Sequence, residues 1–201
     1  MNFEYDPDSH IYTLNGVKIP SLTGMLAADG LCSYLDQVPR DTLDQKRVWG
    51  TNLHEALLFS EHGYDIQVEF KEHRFQWLKL CRQMKWGPSP VWENAERPAL
   101  AQYQGFVFGF IPDRAAPEAV VEIKGTANIH VSHEIQTALQ VIGMGYPRTT
   151  PRYVCYFDKD GLKKLVTCGK MIIRDGQKLN VYVEANRIIF EHALEWNGEA
   201  L

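Results

Sequence analysis

The first residues of the chain alternate between apolar and polar positions in a way that predicts β-structure. The segments FEY and HIYTL, within residues 3–19, are rich in aromatic and β-branched side chains, and Asn15-Gly16 is a strong hairpin turn signal. We therefore expect a small N-terminal β-hairpin. Ser21 can cap a short helix that begins with LTGMLAA, whereas residues 29–46 show little periodicity and suggest irregular helix and loop.

Two helices are predicted in the next part of the chain. In the segment NLHEALLFSEHG, the positions at helical spacing are Leu53, Ala56, Leu57 and Ser60. His54 lies one position off this apolar stripe, and Gly63 supplies a stop. The second helix covers about residues 70–86 and ends at Gly87-Pro88, and the side chains expected on its apolar face are Phe75, Leu78 and Cys81.

The pattern changes to strands from residue 91 onward. Residues 91–111 alternate or run apolar, and AVVEIKG forms a second apolar strand after a turn-like AAPE segment. The segment SHEIQTALQVIGMG returns to a helical period, strands follow at 152–157 and 162–168, and a last helix is expected near residues 184–196. This order predicts the α/β class, with α+β as the alternative, and a mixed central β-sheet flanked by helices.

Length and charge limit the classes of protein and of partner. With 201 residues, of which 45% are hydrophobic and 23% charged, the chain is expected to form one compact domain over residues 1–201. It contains no uncharged stretch long enough to cross a bilayer and no leader-like start, so we expect a cytoplasmic protein without a membrane partner. Because the net charge is -4, nucleic-acid binding would need a local basic groove or a bound metal.

Cysteine spacing excludes two common metal or redox motifs. Cys32, Cys81, Cys155 and Cys168 are far apart and form no C-x-x-C pair. Neither a zinc knuckle nor a redox motif is indicated, and reduced, partly buried thiols are expected.

The segment from Gly109 to Lys124 contains the most informative group of charged residues. Asp113 ends one strand, and Glu122 and Lys124 form an E-x-K sequence in the next. Since residues two apart in a strand point to one side, Glu122 and Lys124 share a face and Ile123 points to the other. If the hairpin brings Asp113 alongside, two carboxylates and one ammonium converge, and Mg²⁺ or Mn²⁺ would relieve the repulsion between the acids.

The E-x-K sequence alone has an ordinary explanation. A glutamate and a lysine two apart also occur as a simple ion pair on a solvated sheet face, and short motifs recur by chance. Taken by itself, the triplet favours that explanation. The order of the surrounding residues favours a functional site over a simple ion pair.

Four motifs occur in a fixed order along the chain. They are G-T-x-x-H at Gly50, Thr51 and His54, G-x-x-x-D at Gly109 and Asp113, E-x-K at Glu122 and Lys124, and a helical glutamine at Gln136. This set resembles the RecB-like branch of the PD-(D/E)XK nucleases. H-x-Y-x-L-x-G followed by P-S-L-T-x-M-L also resembles the start of phage-encoded and mitochondrial exonucleases of that branch, so the likeness covers about two thirds of the chain.

The resemblance implies a restriction-endonuclease-like fold and a metal centre. Asp113 and Glu122 would bind Mg²⁺, for which Mn²⁺ would substitute, and His54 would complete the shell of ligands. The backbone carbonyl of Ile123 would also contribute. Glu96 is a weaker candidate, because an acid often precedes the acid-bearing strand of the family.

The same resemblance assigns roles to the residues beside the metal. Lys124 would orient or help to deprotonate the attacking water, and Gln136 would steady that lysine or a phosphate. Two departures from the family pattern stand out: Gln140 occupies the position of a family tyrosine, and three residues rather than two separate Gly109 from Asp113. The chain also has no C-terminal cysteine cluster, so the iron–sulfur version of the family is not indicated.

The function implied is metal-dependent hydrolysis of DNA, with an exonuclease of phage or bacterial recombination and repair favoured. A structure-selective or defence-related endonuclease and a non-catalytic nucleic-acid-binding module stay open as alternatives. DNA is the expected partner, a homo-oligomer or a recombination partner protein is left open, and the expected compartment is the cytoplasm of a bacterium or of a phage-infected host.

Other signals have weaker interpretations. His54-Glu55 begins like a zinc-protease helix, but Leu58 stands where the second histidine would be required. A basic patch that could belong to a DNA groove, or equally be a solvated hairpin surface, consists of Lys159, Lys163, Lys164, Lys170, Arg174 and Lys178.

Overall fold

The structure, a computed structural model, covers most of the chain. It describes residues 1–28, 30–31, 38–86, 92–103, 106–126, 128–168, 171–174, 179–183 and 188–192. Several positions named above lie outside these ranges: Cys32, Gly87, Pro88, Lys170 and Lys178.

The N-terminal segment folds into three antiparallel strands rather than a simple hairpin. These are β1 (Phe3–Asp6), β2 (Ile11–Leu14) and β3 (Val17–Ile19), in that order across the sheet. The Asn15-Gly16 turn has positive φ at both residues, 50° and 79°, and joins β2 to β3. The third strand was not predicted, because it is three residues long and only one of them is buried.

The described residues include four α-helices. They are α1 (Leu22–Ala28), α2 (Arg40–Glu61), α3 (Lys71–Met84) and α4 (Val131–Gly143), and a 3-10 turn, Val68–Phe70, precedes α3. Helix α2 begins well before the predicted NLHEALLFSEHG segment, so residues 40–46 are helical rather than irregular. Its first two turns contain no buried side chain and therefore lack the apolar period on which the prediction depended.

The central sheet is mixed and has four strands in sequence order. Its strands are β6 (Arg114–Ala116), β7 (Ala119–Lys124), β8 (Arg152–Asp158) and β9 (Gly161–Thr167). Strands β7 and β8 run parallel, while β6 and β9 are antiparallel to their neighbours. A separate antiparallel pair, β4 (Ala99–Tyr103) and β5 (Phe106–Phe110), precedes it. The combination of mixed sheet and helices agrees with the expected α/β class.

Helices cover both faces of the central sheet, and strand β7 shows the division most clearly. Val120 packs in a core cluster with Ile135 and Leu139 of α4. Val121 and Ile123 pack on the opposite side in a cluster with α2 and α3. The alternation places every second residue of β7, including Glu122 and Lys124, on the side of α4. Burial of each such aliphatic side chain contributes about 1.5–3 kcal/mol to holding the layers together.

Helix α3 is rotated relative to the prediction. Phe75, expected in the core, has 64% of its surface exposed, and Leu78 is only partly buried. The buried face consists of His73, Trp77, Leu80 and Cys81. Two apolar stripes compete on this helix, and the stripe with Trp77 prevails because its indole removes the largest apolar area from water and donates a hydrogen bond to Glu61 inside.

The C-terminal segment is β-structure where it is described. Strands β10 (Met171–Arg174), β11 (Leu179–Val183) and β12 (Ile188–His192) form an antiparallel sheet. The helix expected near residues 184–196 is therefore wrong for 188–192, and the rest of that range is not described. The sequence IIFEH is rich in β-branched and aromatic residues, and a neighbouring strand satisfies its backbone in place of a helical turn.

Among the described residues, no helix combines the length and the apolar character that crossing a membrane requires.

Candidate metal centre

The carboxyl end of β7 brings the predicted acidic residues together. Asp113 lies in the bend before β6, and its Oδ2 accepts a hydrogen bond from the backbone N–H of Ile123 at 2.5 Å. Strands β6 and β7 pair with Arg114 opposite Val121, so the next level of the hairpin places Asp113 beside Glu122. Asp113 is 6% exposed and Glu122 is 2% exposed. The hairpin geometry expected from the sequence is therefore present.

Helix α2 delivers His54 to the same place. The Nδ1 atom of His54 lies 3.0 Å from Oε1 of Glu96 and 3.4 Å from Oδ1 of Asp113. Its Nε2 lies 3.1 Å from the carbonyl oxygen of Ile123, which accepts the hydrogen bond. The ring thus contacts each of the groups expected beside it except Glu122.

Three side chains form a group that can hold a metal ion. One ligand atom from each of His54, Glu96 and Asp113 lies within 4.8 Å of the other two. Glu96, the weaker candidate from the sequence, is thus part of the group. Its backbone has a φ of 53°, a left-handed conformation that is uncommon for a residue with a side chain.

The pKa values of the group reflect crowded negative charge in a buried place. Burial, followed by the charge of Glu122, raises the pKa of Asp113 to about 8. Burial lowers the pKa of His54, but Asp113 and Glu96 outweigh this effect and raise it to about 9. A site that resists ionisation of its own carboxyl groups gains most from a bound cation.

Glu122 is held by three donors from two elements. Its Oε1 accepts hydrogen bonds from Nζ of Lys124 at 2.5 Å and from Nε2 of Gln136 at 2.7 Å. Its Oε2 accepts from Nε2 of Gln140 at 2.9 Å. The pair Glu122–Lys124 is therefore an interior pair, and the alternative of a solvated surface ion pair is wrong.

Lys124 reaches from this interior pair toward solvent. Its ammonium donates to Glu122 and, at 3.1 Å, to Oε1 of Gln136, and 23% of the side chain remains exposed. Gln136 thus contacts both members of the E-x-K sequence at once. Helix α4 brings it there, as the helical spacing predicted.

Gln140 has a defined hydrogen-bond partner inside the protein. Its side chain is fully buried and its amide nitrogen donates to Glu122. Its Oε1 has no hydrogen-bond partner within the part of the chain that the structure describes. Gln140 therefore positions an acid rather than offering a hydroxyl.

Arg114 and Glu61 belong to the site but were missed by sequence reasoning. Arg114 is 0% exposed, and it donates from Nε to Oε1 of Glu61 at 2.7 Å and from Nη1 to Oε1 of Glu96 at 3.0 Å. The indole N–H of Trp77 also donates to Glu61, at 2.8 Å. These contacts anchor Glu96, which in turn contacts His54.

A signal for both missed residues was present in the sequence. Glu61 continues the four-residue spacing of Leu53 and Leu57, which places an acid on the core stripe of α2. Arg114 opens the otherwise apolar strand Arg114–Ala116 directly after the candidate ligand Asp113. Charged residues at core positions require partners, so each predicts the other.

Gly109 serves packing in this chain. Its backbone N–H donates to the carbonyl of Pro20 at 2.9 Å, and a Cβ at this position would overlap the ring of Tyr12. Gly109 therefore joins β5 to the N-terminal sheet, four positions before Asp113. The extra residue between Gly109 and Asp113 is consistent with this separate role.

The basic patch expected around the β8–β9 hairpin is partly neutralised. Lys163 lies 3.4 Å from Asp158 and 3.5 Å from Asp160. Lys159 and Lys164 are exposed, and Arg174 lies in β10. The hairpin therefore carries acids as well as lysines, which weakens its attraction for phosphate.

The assembled site combines a possible metal-binding group with a neighbouring lysine. Oxygen and imidazole donors for a cation lie near a lysine whose side chain is 23% exposed, and buried charges and amides fix their positions. The contributing residues come from α2, the segment before β4, the bend before β6, strand β7 and helix α4.

Comparisons of the chain with protein-family models, with curated proteins and with solved structures found no match.

Proposed function

We propose that this chain is a metal-dependent deoxyribonuclease of the RecB-like PD-(D/E)XK type on a restriction-endonuclease-like fold. The observation that carries the proposal is the convergence of Asp113, Glu122 and Lys124 at the end of β7 beside His54. Among the residues of the four ordered motifs, Glu122, Lys124 and Gln136 contact one another and His54 contacts Asp113, whereas Gly109 packs elsewhere.

The donor set fits a hard divalent cation. Asp113, Glu122 and the carbonyl of Ile123 would supply oxygen, and His54 would supply nitrogen. His54, Asp113 and Glu96 form the compact group described above, and Glu122 lies outside that group, near enough for its charge to raise the pKa of Asp113. Carboxylate and carbonyl oxygens favour Mg²⁺ and Mn²⁺ over softer metals. Such an ion, when bound, lowers the pKa of a water ligand and offsets charge on the phosphodiester.

Glu122 keeps capacity for a further partner despite its three donors. Each carboxylate oxygen has about two acceptor directions, and Oε2 accepts a single described hydrogen bond, from Gln140. Gln140 and Gln136 hold the carboxylate from the side of α4. Their amides fix its orientation without adding charge.

Lys124 is placed to act on the substrate. Its ammonium is oriented by Glu122 and Gln136, and part of the side chain is open to solvent. A cation in this position can orient the attacking water and stabilise the charge that develops on the phosphate. By analogy with the family, the products are a 5′-phosphate and a 3′-hydroxyl.

The test is degradation of end-labelled linear, circular and single-stranded DNA with Mg²⁺, Mn²⁺ or EDTA. Lys124→Ala should reduce the cutting rate by about 10²-fold or more, because it removes a charge that acts on the transition state. Lys18→Ala, which removes an exposed lysine of β3, should cut at the wild-type rate.

The outcomes separate the proposal from its rivals. Cutting that survives EDTA, or full activity of Lys124→Ala, would contradict the mechanism. Linear DNA degraded with circles left intact supports the exonuclease of phage or bacterial recombination and repair. Cutting of circles supports the endonuclease alternative on the same centre.

A further inference from the structure

Helix α3 presents a cationic face that the proposed chemistry does not use. Lys71, Arg74, Lys79 and Arg82 surround Phe75 and Leu78, and together they line a groove of about 480 Å³. We call these six residues the α3 face. The rotation that buries Trp77 is what turns this stripe of the helix outward.

The charge of the α3 face is concentrated and not balanced locally. Of the described side chains that line the groove, none is acidic. Within the described ranges none of its four cations lies in an ion pair, and Glu72 on the same helix instead accepts a hydrogen bond from Gln76. On a chain with a net charge of -4, this local excess of positive charge favours a polyanion.

Phe75 adds a second feature to the α3 face. Its ring is 64% exposed in the middle of the four cations. An exposed aromatic ring between phosphate-binding side chains is the combination that binds unpaired bases, because every base can stack on it. A duplex keeps the faces of its bases covered and could use only the cations.

The start of α3 lies near the catalytic end of β7. The ring of Trp49 lies against Gly125, the residue after Lys124, where an added Cβ would be 2.8 Å from Cζ3 of the indole. The same ring lies 6.0 Å from that of Phe70 and 5.9 Å from that of His73, at the beginning of α3. Phe70 and His73 are buried, so one indole lies between the end of β7 and the inner side of α3 at its start, while the α3 face lies on the outer side of the same helix.

A second contact fixes the helix at the same end of the sheet. His73 Nε2 donates to the carbonyl oxygen of Asp158 at 2.6 Å, at the end of β8. Strand β8 runs parallel to β7 with Tyr156 opposite Lys124, so both strands end on this side. From there the cations continue along α3 from Lys71 to Arg82, a rise of roughly 16 Å.

We propose that the α3 face binds a single-stranded DNA segment that extends from the catalytic end of β7, with its phosphates on the four cations and a base on Phe75. The inference rests on the proposed function for its substrate. It adds the surface, the strandedness and the direction in which the strand leaves the centre.

Binding of a fluorescent single-stranded oligonucleotide in EDTA tests the role of the cations without cutting. Lys79→Gln/Arg82→Gln should weaken binding by about tenfold and reduce the slope of log K against log salt by about 1.4, since each lost phosphate contact contributes about 0.7. The matched control is Lys18→Gln/Arg148→Gln, which removes the same two residue types elsewhere on the surface. The control should bind like the wild type.

Substitution of Phe75 tests the preference for single strands. Phe75→Ala should weaken binding of the single strand by about fivefold or more, because a stacked base is lost, and leave duplex binding unchanged. Phe75→Trp should restore single-strand binding. Val68→Ala, at an apolar side chain that is 76% exposed just before α3, is the matched control.

These results are distinguishable from the fate of the nuclease proposal. An unchanged affinity and salt slope in Lys79→Gln/Arg82→Gln would overturn the inference whatever the cutting assay shows. Equal loss of single-strand and duplex binding in Phe75→Ala would overturn the assignment of strandedness. Binding through the α3 face by a protein that cuts no DNA with either metal would leave the surface in place and remove the nuclease.

Discussion

At the scale of single residues, the site is organised by buried partners that hold a few charges in place. Arg114 lies between Glu61 and Glu96, and Gln136 and Gln140 hold Glu122. A buried charge without a partner costs several kcal/mol, so these contacts make the acidic centre compatible with folding. The same contacts fix the directions in which Glu96 and Glu122 point.

Arg114→Met should destabilise the protein by about 3–5 kcal/mol, because it leaves the buried Glu61 and the partly buried Glu96 without their cation. The measurement is the free energy of unfolding in urea. Arg47→Met, at an exposed pair with Asp44, should cost less than about 1 kcal/mol. Equal costs at the two positions would show that the Arg114 network is not formed.

Gln140→Leu should lower kcat while KM changes little, because the substitution removes a donor that orients Glu122 but leaves the exposed side of the site intact. Gln136→Leu should reduce kcat further, since Gln136 contacts both Glu122 and Lys124. A loss on the order of tenfold for Gln140→Leu corresponds to about 1.4 kcal/mol of transition-state stabilisation. Gln140→Leu with wild-type kcat would contradict the role given to Gln140.

At the scale of elements, the end of strand β7 and helix α2 meet closely at Gly125, where an added Cβ would lie 2.8 Å from the indole of Trp49. Gly125 follows Lys124, and the ring of Trp49 on α2 occupies the space that a side chain there would need. The hairpin β6–β7 fixes the position of Asp113. The contact between Trp49 and Gly125 fixes the distance between α2 and the end of β7. The position of His54 depends on both.

Gly125→Ala should destabilise the protein by about 1–3 kcal/mol and lower the cutting rate, because Trp49 and the end of β7 must move apart. Gly50→Ala is the matched control on the facing helix, where an added Cβ meets nothing within 4 Å. That change should stabilise the protein by about 0.5–1 kcal/mol through helix propensity. The measurement is thermal unfolding of both variants. Destabilisation of both variants, or of neither, would contradict this packing.

Elements with an apolar face and a polar face were predictable from the sequence. Alternation in AVVEIKG predicted that Glu122 and Ile123 point to opposite faces of the sheet, and helical spacing predicted that His54 and Gln136 lie on helices. The rotation of α3 was not predictable in this way, because either of two stripes satisfies the period and the choice depends on where Trp77 can be buried. Residues 188–192 form a strand because a neighbouring strand supplies the hydrogen bonds, which a local pattern does not contain.

At the scale of the whole molecule, the centre exists only when distant segments are brought together. His54, Glu96, Asp113 and Glu122 are spread over 69 positions of the chain, and no two of the four belong to the same strand or helix. Their convergence places several negative charges in one buried volume, which opposes folding in the absence of a counter-ion. The single nuclease domain over residues 1–201 stays a prediction at this scale.

Mn²⁺ or Mg²⁺ should therefore raise the melting temperature of the wild-type protein, because an ion that binds only the folded state stabilises that state. At a concentration about 100 times Kd, the expected gain is about 2.7 kcal/mol. Asp113→Asn removes a central ligand and should lose most of this shift. An equal shift in wild type and in Asp113→Asn would place the bound ion elsewhere.

In the proposed mechanism, Glu122 near the end of β7 acts on DNA through a bound metal. The most direct measurement is single-turnover cleavage of end-labelled linear DNA across a range of Mg²⁺ concentrations by wild type, Glu122→Gln and Glu118→Gln. Glu118 is the exposed glutamate in the turn before the same strand, so it controls for the loss of one carboxylate. We expect metal-dependent cutting that is unchanged in Glu118→Gln and reduced by about 10²-fold or more in Glu122→Gln. Wild-type rates in Glu122→Gln, or no cutting by the wild type with either metal, would contradict this mechanism.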